Sequence, residues 1–457
     1  VTSRRHPATA REAAFAVLAR AEAADAFVSV LLFHTLERSQ LNAGDRALAT
    51  AIVFGVLRHR ARLDYALAPL LTRPFEELPA AIRTILRMGA AQLLVLERVP
   101  TAVAVSASVE LARRHGHAGT ARLVNAVLRR LAAEGPPTLP DRAADPLGFL
   151  AVQSSHPRWL LARWAARWGV SEAEALAAAN NRPAPSTLRA NTLRASRDAV
   201  LAALRARGVD ATAGRLPESV RVAGSLTDRL PVIDEGLAVV QDEAAMLVAR
   251  ALAPPPGGVV IDACAAPGGK ATHLAALMGD RGRLLACDVH LRKLEALAHR
   301  AAALGVSCLE AHHLDARALG ARFPRAADAV LVDAPCSGLG TIRRRPEIRW
   351  RAAEADLARG AAAQATLLAG AAGAVRPGGV LVYSVCSLEP EEGPEVVEAF
   401  LAAHPAFARE PLPDECPRDL DGRSIAGDRP GEAWLLPHRH DTDGFYLARL
   451  RRARGLG

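Results

Sequence analysis

The chain has 457 residues, enough for two or three domains with sizeable cores. Half of it is hydrophobic but only 4% is aromatic, so a core of Ala, Leu and Val is expected, and the formal net charge of +9 points to a polyanionic partner, RNA before others, against the plain alternative of a solvated basic surface. No apolar run reaches the ~20 residues that span a bilayer and no apolar stretch follows the basic N-terminus, which excludes a membrane-spanning reading and leads us to expect a soluble, cytoplasmic protein.

From about Thr9 to Ala133 apolar residues recur at helical spacing, as in Ala13–Leu18, Ala47–Leu57, Ala81–Leu96 and Ala102–Leu111. Arg4, Arg5, Arg11, Arg58, Arg60, Arg62, Arg113, Arg114, Arg129 and Arg130 punctuate it, predicting an all-α bundle with arginines on its outer faces. The Gly135, Pro136, Pro137, Pro140 and Pro146 cluster marks a boundary. A small α+β segment follows, with a tryptophan-bearing helix (Trp159, Trp164, Trp168) and an extended Leu188–Leu193. Beyond Gln241 the pattern becomes strand–helix alternation: a helix at Glu243–Leu252, then strands at Val259–Ile261, Arg283–Cys287, Val306–Glu310, Ala329–Val332, Val380–Ser384 and Gly444–Leu450. Buried strands separated by helices imply an α/β, doubly wound, Rossmann-like sheet. The expected division is 1–140, 148–240 and 241–452.

The first strand of that sheet runs into Cys264-Ala265-Ala266-Pro267-Gly268-Gly269-Lys270. Doubly wound sheets bind ligands at the carboxyl ends of their strands, where glycine permits close backbone approach. Ala271 follows the Gly-Lys pair and Cys264 stands where a phosphate loop has its first glycine, so that reading fails; Gly-x-Gly-x-x-Gly is missing too. An adenosyl cofactor suits the turn better. Asp288, about 20 residues on, is placed to accept hydrogen bonds from ribose hydroxyls. Asp315 ends the third strand region, where it can reach an adenine amino group, and Asp333 ends the fourth. The histidine clusters His312-His313 and His438-Arg439-His440 lack partners at zinc-like spacing, so no metal is expected.

The six cysteines form no Cys-x-x-Cys and read as free thiols in a reducing compartment. Cys264, Cys287, Cys308 and Cys416 read as small buried hydrophobes. Cys336, in Asp333-Ala334-Pro335-Cys336-Ser337-Gly338, and Cys386, in Tyr383-Ser384-Val385-Cys386-Ser387, stand instead at strand carboxyl ends. Two thiols beside an adenosyl site suit chemistry at a pyrimidine ring. C5 of cytosine is a feeble nucleophile; a thiolate adding to C6 activates it, an acid such as Asp333 can hold the N3/N4 edge, and a second thiolate can take the C5 proton. Spacing alone does not say which cysteine does which.

These residues resemble the Sun-type (NOL/NOP/Sun) family of RNA cytosine-C5 methyltransferases. The likeness runs through Gln241-Asp242-Glu243, Ala263–Lys270, Asp288, Asp315, Asp333–Gly338, Gly340–Arg344, Tyr383–Ser387 and Asp443-Gly444-Phe445-Tyr446. It implies a class I methyltransferase domain, S-adenosyl-L-methionine as cofactor, Cys386 as nucleophile and Cys336 as the thiol that assists product release. Asp45–Ala49, Gly55–Arg58 and Val124–Arg130 resemble a NusB-like domain. That combination implies the branch acting on a cytosine of 16S rRNA; the same chemistry on tRNA or another rRNA site, and a non-catalytic RNA-binding assembly factor, are the alternatives, and a monomer is expected. Val385 and Ala271 stand where the family commonly has threonine; the first bears on how the neighbouring thiol is hydrogen-bonded.

Overall fold

A computed structural model describes residues 7–23, 27–224, 230–414 and 416–454; Arg4 and Arg5 lie outside the described residues. The chain forms two compact units, residues 1–181 with Arg345–Arg351, and residues 182–344 with 352–457.

The first unit is helical. Helices at Ala10–Ala23, Val28–Glu37, Ala43–Leu67, Ala80–Leu94, Thr101–His115 and Ala118–Glu134 enclose Ile52, Leu63, Leu67, Ile82, Ile85, Leu86 and Leu128. The third starts where the Asn42 side chain accepts the Asp45 N–H, which satisfies a donor that has no partner inside the helix. Three further helices, Pro146–Gln153, Arg158–Trp168 and Val170–Asn181, complete it. Of the three tryptophans on Arg158–Trp168, Trp164 is fully buried, and Trp159 and Trp168 are half-buried. Arg62, Arg113, Arg114, Arg129 and Arg130 are exposed, as the periodicity predicts, whereas Arg11, Arg58 and Arg60 are half-buried. Arg87 is buried outright between Asp64 (Nε–Oδ1 2.7 Å) and Glu22 (2.9 Å). Within the same unit Arg349 is fully buried and donates to the Ser155 carbonyl (3.0 Å) and Asn181 Oδ1 (2.9 Å), and Trp350 donates to the Leu57 carbonyl.

The second unit opens with an antiparallel sheet of β1 (Ser186–Ala190), β2 (Ala211–Ala213), β3 (Ser219–Val222) and β4 (Ala238–Val240), in the order β2-β3-β1-β4. Its apolar face packs on the helix Arg197–Arg205 through Leu188, Val220, Val200 and Leu204. The helix Glu243–Leu252, capped by Asp242, leads to the main sheet.

That sheet contains β5 (Val259–Asp262), β6 (Arg283–Asp288), β7 (Leu309–His313), β8 (Ala327–Asp333), β9 (Val375–Val385), β10 (Phe407–Arg409), β13 (Glu432–Leu435) and β14 (Phe445–Arg452); β11 (Asp419–Leu420) and β12 (Arg423–Ser424) form a separate ribbon. The order is β10-β14-β9-β8-β5-β6-β7, with β13 on β14; β7, β6, β5, β8 and β9 are parallel and β14 is antiparallel to β9. Strand order reverses at β5, so its carboxyl end, with those of β6, β8 and β9, frames the crevice where such sheets bind ligands. The third strand sits later than Val306–Glu310. Gly305 takes a positive φ of 77°, Val306 N–H returns to Ala301 O, and Ser307 and Cys308 N–H bind the Asp280 carboxylate, so the ladder starts only at Leu309.

Candidate active site

The turn after β5 is built on backbone hydrogen bonds to its neighbours: Ala263 N–H to Leu331 O and Ala265 N–H to Cys287 O, both 2.9 Å. Gly268, at φ 104°, turns the chain into the helix Gly269–Leu277; a Cβ there would lie 2.7 Å from Leu297 Cγ. The Ala266 N–H donates to Asp288 Oδ2 (3.1 Å), while Asp288 Oδ1 accepts from the His290 backbone (2.8 Å). Asp288 therefore fixes the outer rim of the turn and is itself nearly buried. Asp315 is engaged differently. Its carboxylate accepts from Arg317 Nε (3.0 Å) and Nη2 (2.5 Å), and the Arg317 hydrogen bonds hold it below the usual carboxylate range.

Asp333, at the end of β8, joins three strand ends. Its Oδ2 accepts from Lys270 Nζ (2.6 Å) and its Oδ1 from Ser384 Oγ on β9 (2.8 Å). Burial alone would lower Lys270, but the Asp333 carboxylate, with Cys386 and Asp262 behind it, raises it, so it stays an ammonium. Its head also lies 5.1 Å from the Phe445 ring.

Beside this pair, Cys336 Sγ and Cys386 Sγ approach to 3.4 Å, both half-buried. The hydrogen bond with Cys386, then burial, pushes the Cys336 thiol well above its ordinary range. Two sulfurs this close cannot both carry charge, so the pair keeps at least one proton, and Cys336 is the thiol raised. The other thiols have no such partner. Burial pushes Cys287, Cys308 and Cys416 to about 12 and Cys264 higher still, which keeps them protonated.

One acid of this end was not singled out by the sequence pattern. Asp262, fully buried at the end of β5, is raised to about 7 by burial and then by Asp333, against the pull of Lys270 and the Cys264 backbone. Its place as the last residue of an apolar strand before the glycine turn was the available signal. Lys270, grouped with the turn by sequence, is also the cation of the thiol pocket. The histidines have other occupations: His313 Nε2 meets the Val289 carbonyl and buried His440 bridges Leu436 N–H and Ser424 O.

Known proteins share this architecture. The 16S rRNA methyltransferase RsmB/F family matches residues 249–451, the NusB family residues 8–133, and an RsmF/B-like ferredoxin-like domain residues 156–227. The probable ribosomal RNA small subunit methyltransferase B of Bacillus subtilis is 36% identical over 97% of this chain and 98% of its own length. The chain belongs to the 16S rRNA methyltransferase RsmB/F family. Ribosomal RNA small subunit methyltransferase B of Thermus thermophilus is 39% identical over 93% of both chains. Among solved structures, PH0851 superposes with a TM-score of 0.84 at 27% identity, covering 99% of this chain and all of that one. A methyltransferase homologue from Pyrococcus horikoshii gives 0.57 at 29% identity over 66% of this chain and 97% of its own. Family membership makes the chain an S-adenosylmethionine-dependent methyltransferase with a NusB domain ahead of its catalytic sheet.

Proposed function

We propose that the protein methylates C5 of a cytosine in 16S rRNA through a covalent bond between Cys386 and C6. The observation that carries this reading is the Cys336–Cys386 pair, sulfurs 3.4 Å apart, set against the Lys270–Asp333 ion pair at the ends of β8 and β9. The reading of the parts follows the expected division: 1–140 as the RNA-binding helical region, 148–240 as a connector, 241–452 as the catalytic part.

The cofactor fits the residues present. The turn Cys264–Lys270 offers backbone to its methionine part, Asp288 is held rigidly at the second strand end for the ribose, and Asp262 is a buried acid facing no cation of its own except through Lys270. Asp315 serves the adenine side only by sharing its carboxylate with Arg317. When bound, S-adenosylmethionine supplies an electrophilic methyl group to the activated C5.

The protein's residues do the rest. With Cys336 keeping its proton, Cys386 acts as the thiolate. Its lone pair forms the S–C6 bond, the C5–C6 π bond breaks, and charge moves toward N3 and O2. Lys270 and Asp333 hold the polar edge where that charge gathers. Once Cys386 is bonded to carbon, the largest influence that raised Cys336 is gone, which eases transfer of the Cys336 proton to solvent. As a thiolate it then takes the C5 proton; the C–H electrons rebuild the C5–C6 double bond and expel Cys386. The target base must be unstacked to reach this pocket, which is cheapest in a loop or distorted stem. Tritiated methyl transfer to unmodified 16S rRNA, 23S rRNA and tRNA, followed by bisulfite sequencing of the product, tests the reading. A protected cytosine in 16S rRNA alone is expected; methyl on another base or at a ring position that bisulfite does not sense would overturn it.

A further inference from the structure

The two cysteines are held by unlike means. Cys386 follows directly on β9, a strand paired on both sides, and its carbonyl accepts the Gly340 N–H (2.9 Å). Cys336 sits on the loop after β8, where strand pairing has ended. A loop sulfur that must meet a ring proton within a few tenths of an ångström needs another restraint.

Beneath that loop lies a buried acid that the proposed chemistry does not use. Glu392 is 1% exposed, and among the described residues no cation pairs with it. Its Oε1 accepts the Ser337 N–H (2.8 Å) and Gln364 Nε2 (3.1 Å), and its Oε2 accepts the Ser337 hydroxyl (2.5 Å). Gln364, itself fully buried, also donates to the Pro335 carbonyl (3.0 Å). The residues on either side of Cys336 are thus both tied to one carboxylate–amide cluster. Tyr383 OH closes the cluster from β9 by donating to the Glu392 carbonyl (2.6 Å). Finally, Ser337 Oγ lies 3.2 Å from Ser387 Oγ, so the Cys336-Ser337 and Cys386-Ser387 pairs run side by side.

A carboxylate buried without a cation is costly, and three hydrogen bonds onto it are the least that would retain it. A purely structural tie for a loop could use a neutral amide or backbone groups. We propose that Glu392 is a positioning residue: with Gln364 and Ser337 it fixes Cys336 against Cys386, and so governs the second half of the reaction, removal of the C5 proton and release of RNA, more than the first. The inference rests on the two-thiol reading above. Glu392 touches neither sulfur by hydrogen bond, so it acts through Ser337. Its negative charge also contributes to the raised Cys336 thiol, which makes the Cys336 thiolate a stronger base.

The test compares Cys336→Ala, Glu392→Ala and Glu392→Gln, each full length, on 16S rRNA with S-adenosylmethionine. Formation and decay of the covalent RNA–protein adduct are followed on denaturing gels, with cofactor affinity by calorimetry and melting by scanning calorimetry. Cys336→Ala is expected to accumulate adduct. Glu392→Ala should form adduct at about the wild-type rate and resolve it at least about tenfold more slowly, the effect of losing roughly one well-placed hydrogen-bond tether. Glu392→Gln keeps the shape and can pair with Ser337, whose hydroxyl turns from donor to acceptor, so it should recover much of the release rate. Ser337→Ala, a smaller change, should slow release in the same direction as Glu392→Ala. Adduct trapped by Cys336→Ala but resolved at the wild-type rate by both Glu392→Ala and Ser337→Ala would overturn the positioning role alone. Equal loss of adduct formation, cofactor affinity and melting temperature in both Glu392 variants, with wild-type release in Ser337→Ala, would reduce Glu392 to a fold residue. No adduct from Cys336→Ala would remove the two-thiol reading and this inference with it.

Discussion

Two buried acids of the same unit, Glu218 and Asp262, show how differently this protein treats charge in its scaffold and at its candidate site. Glu218 precedes β3 and meets Arg250 of the helix Glu243–Leu252 (Nε–Oε1 3.0 Å) and His273 of the helix Gly269–Leu277 (2.9 Å). Burial raises it, but His273 and Arg250 more than reverse that, and it sits below the usual carboxylate range. Burial in turn lowers His273 to about 4, so at neutral pH the arginine carries the compensating charge. Arg87 with Glu22 and Asp64 follows the same rule in the helical unit. Asp262 is as deeply buried, yet its nearest strong cation, Lys270, is already committed to Asp333, and it rises to about 7. Glu218 and Arg87 are paired off with opposite charges, whereas Asp262 at the end of β5 is left short of a partner. That shortage is what a ligand with its own charges and hydrogen bonds can relieve.

The largest effect is expected where the compensation is poorest. Cys386→Ala should lower methyl transfer by at least about a thousandfold, as loss of a covalent nucleophile does, and should form no adduct. Cys336→Ala should transfer the methyl group and then stall as a complex visible on a denaturing gel. If the adduct appears with Cys386→Ala instead, the roles of the two thiols are exchanged.

On the scaffold side, Glu218→Ala removes the buried carboxylate that Arg250 and His273 share. A loss of about 3–5 kcal/mol in urea unfolding is expected, the range for breaking a buried pair. A loss under 1 kcal/mol would mean that Glu218 is no better compensated than Asp262, and the contrast would collapse.

Asp262 should behave in the opposite sense. Its folded pKa lies above its unfolded one, so its stabilising contribution is complete below about pH 4 and is lost as pH rises through about 7. A shift of that size corresponds to at most about 4 kcal/mol. Cofactor-free Asp262→Asn should therefore gain stability over the wild type between pH 4 and 7 and keep the gain at pH 8. Parallel urea midpoints across that range would show that Asp262 ionises in the native state as it does unfolded.

The smallest effect separates the two cofactor-side aspartates. Asp288→Ala should weaken S-adenosylmethionine binding by roughly 1.5–3 kcal/mol by calorimetry, the cost of losing charged hydrogen bonds. Asp315→Ala should cost less, because Arg317 already shares its carboxylate. An Asp315 effect larger than that of Asp288 would mean that Arg317 lets go when the cofactor binds.

Much of this was legible in the residues themselves. Helical periodicity located the bundle, and the apolar strands between helices located the parallel sheet, because burial on one face or on both leaves a period in the sequence. The glycine turn, the strand-end aspartates and the two exceptional cysteines could be named because their chemistry is local to a strand end. Local pattern failed where a distant group intervened, as when the Asp280 carboxylate captured the amides of Ser307 and Cys308 and delayed β7. It also missed β10 and β13, short strands at or beside the sheet edge that pair with β14.

What the sequence by itself determined is the inventory: which strands end in an acid or a thiol, and which family pattern they follow. Only the tertiary structure decided the couplings. Cys336 and Cys386 are 50 residues apart in the chain, and nothing in either motif requires their sulfurs to meet at 3.4 Å. That contact, the capture of Lys270 by Asp333 and the isolation of Asp262 follow from β5, β8 and β9 lying side by side. A pKa depends on the sum of neighbours in space, and sequence order does not list them.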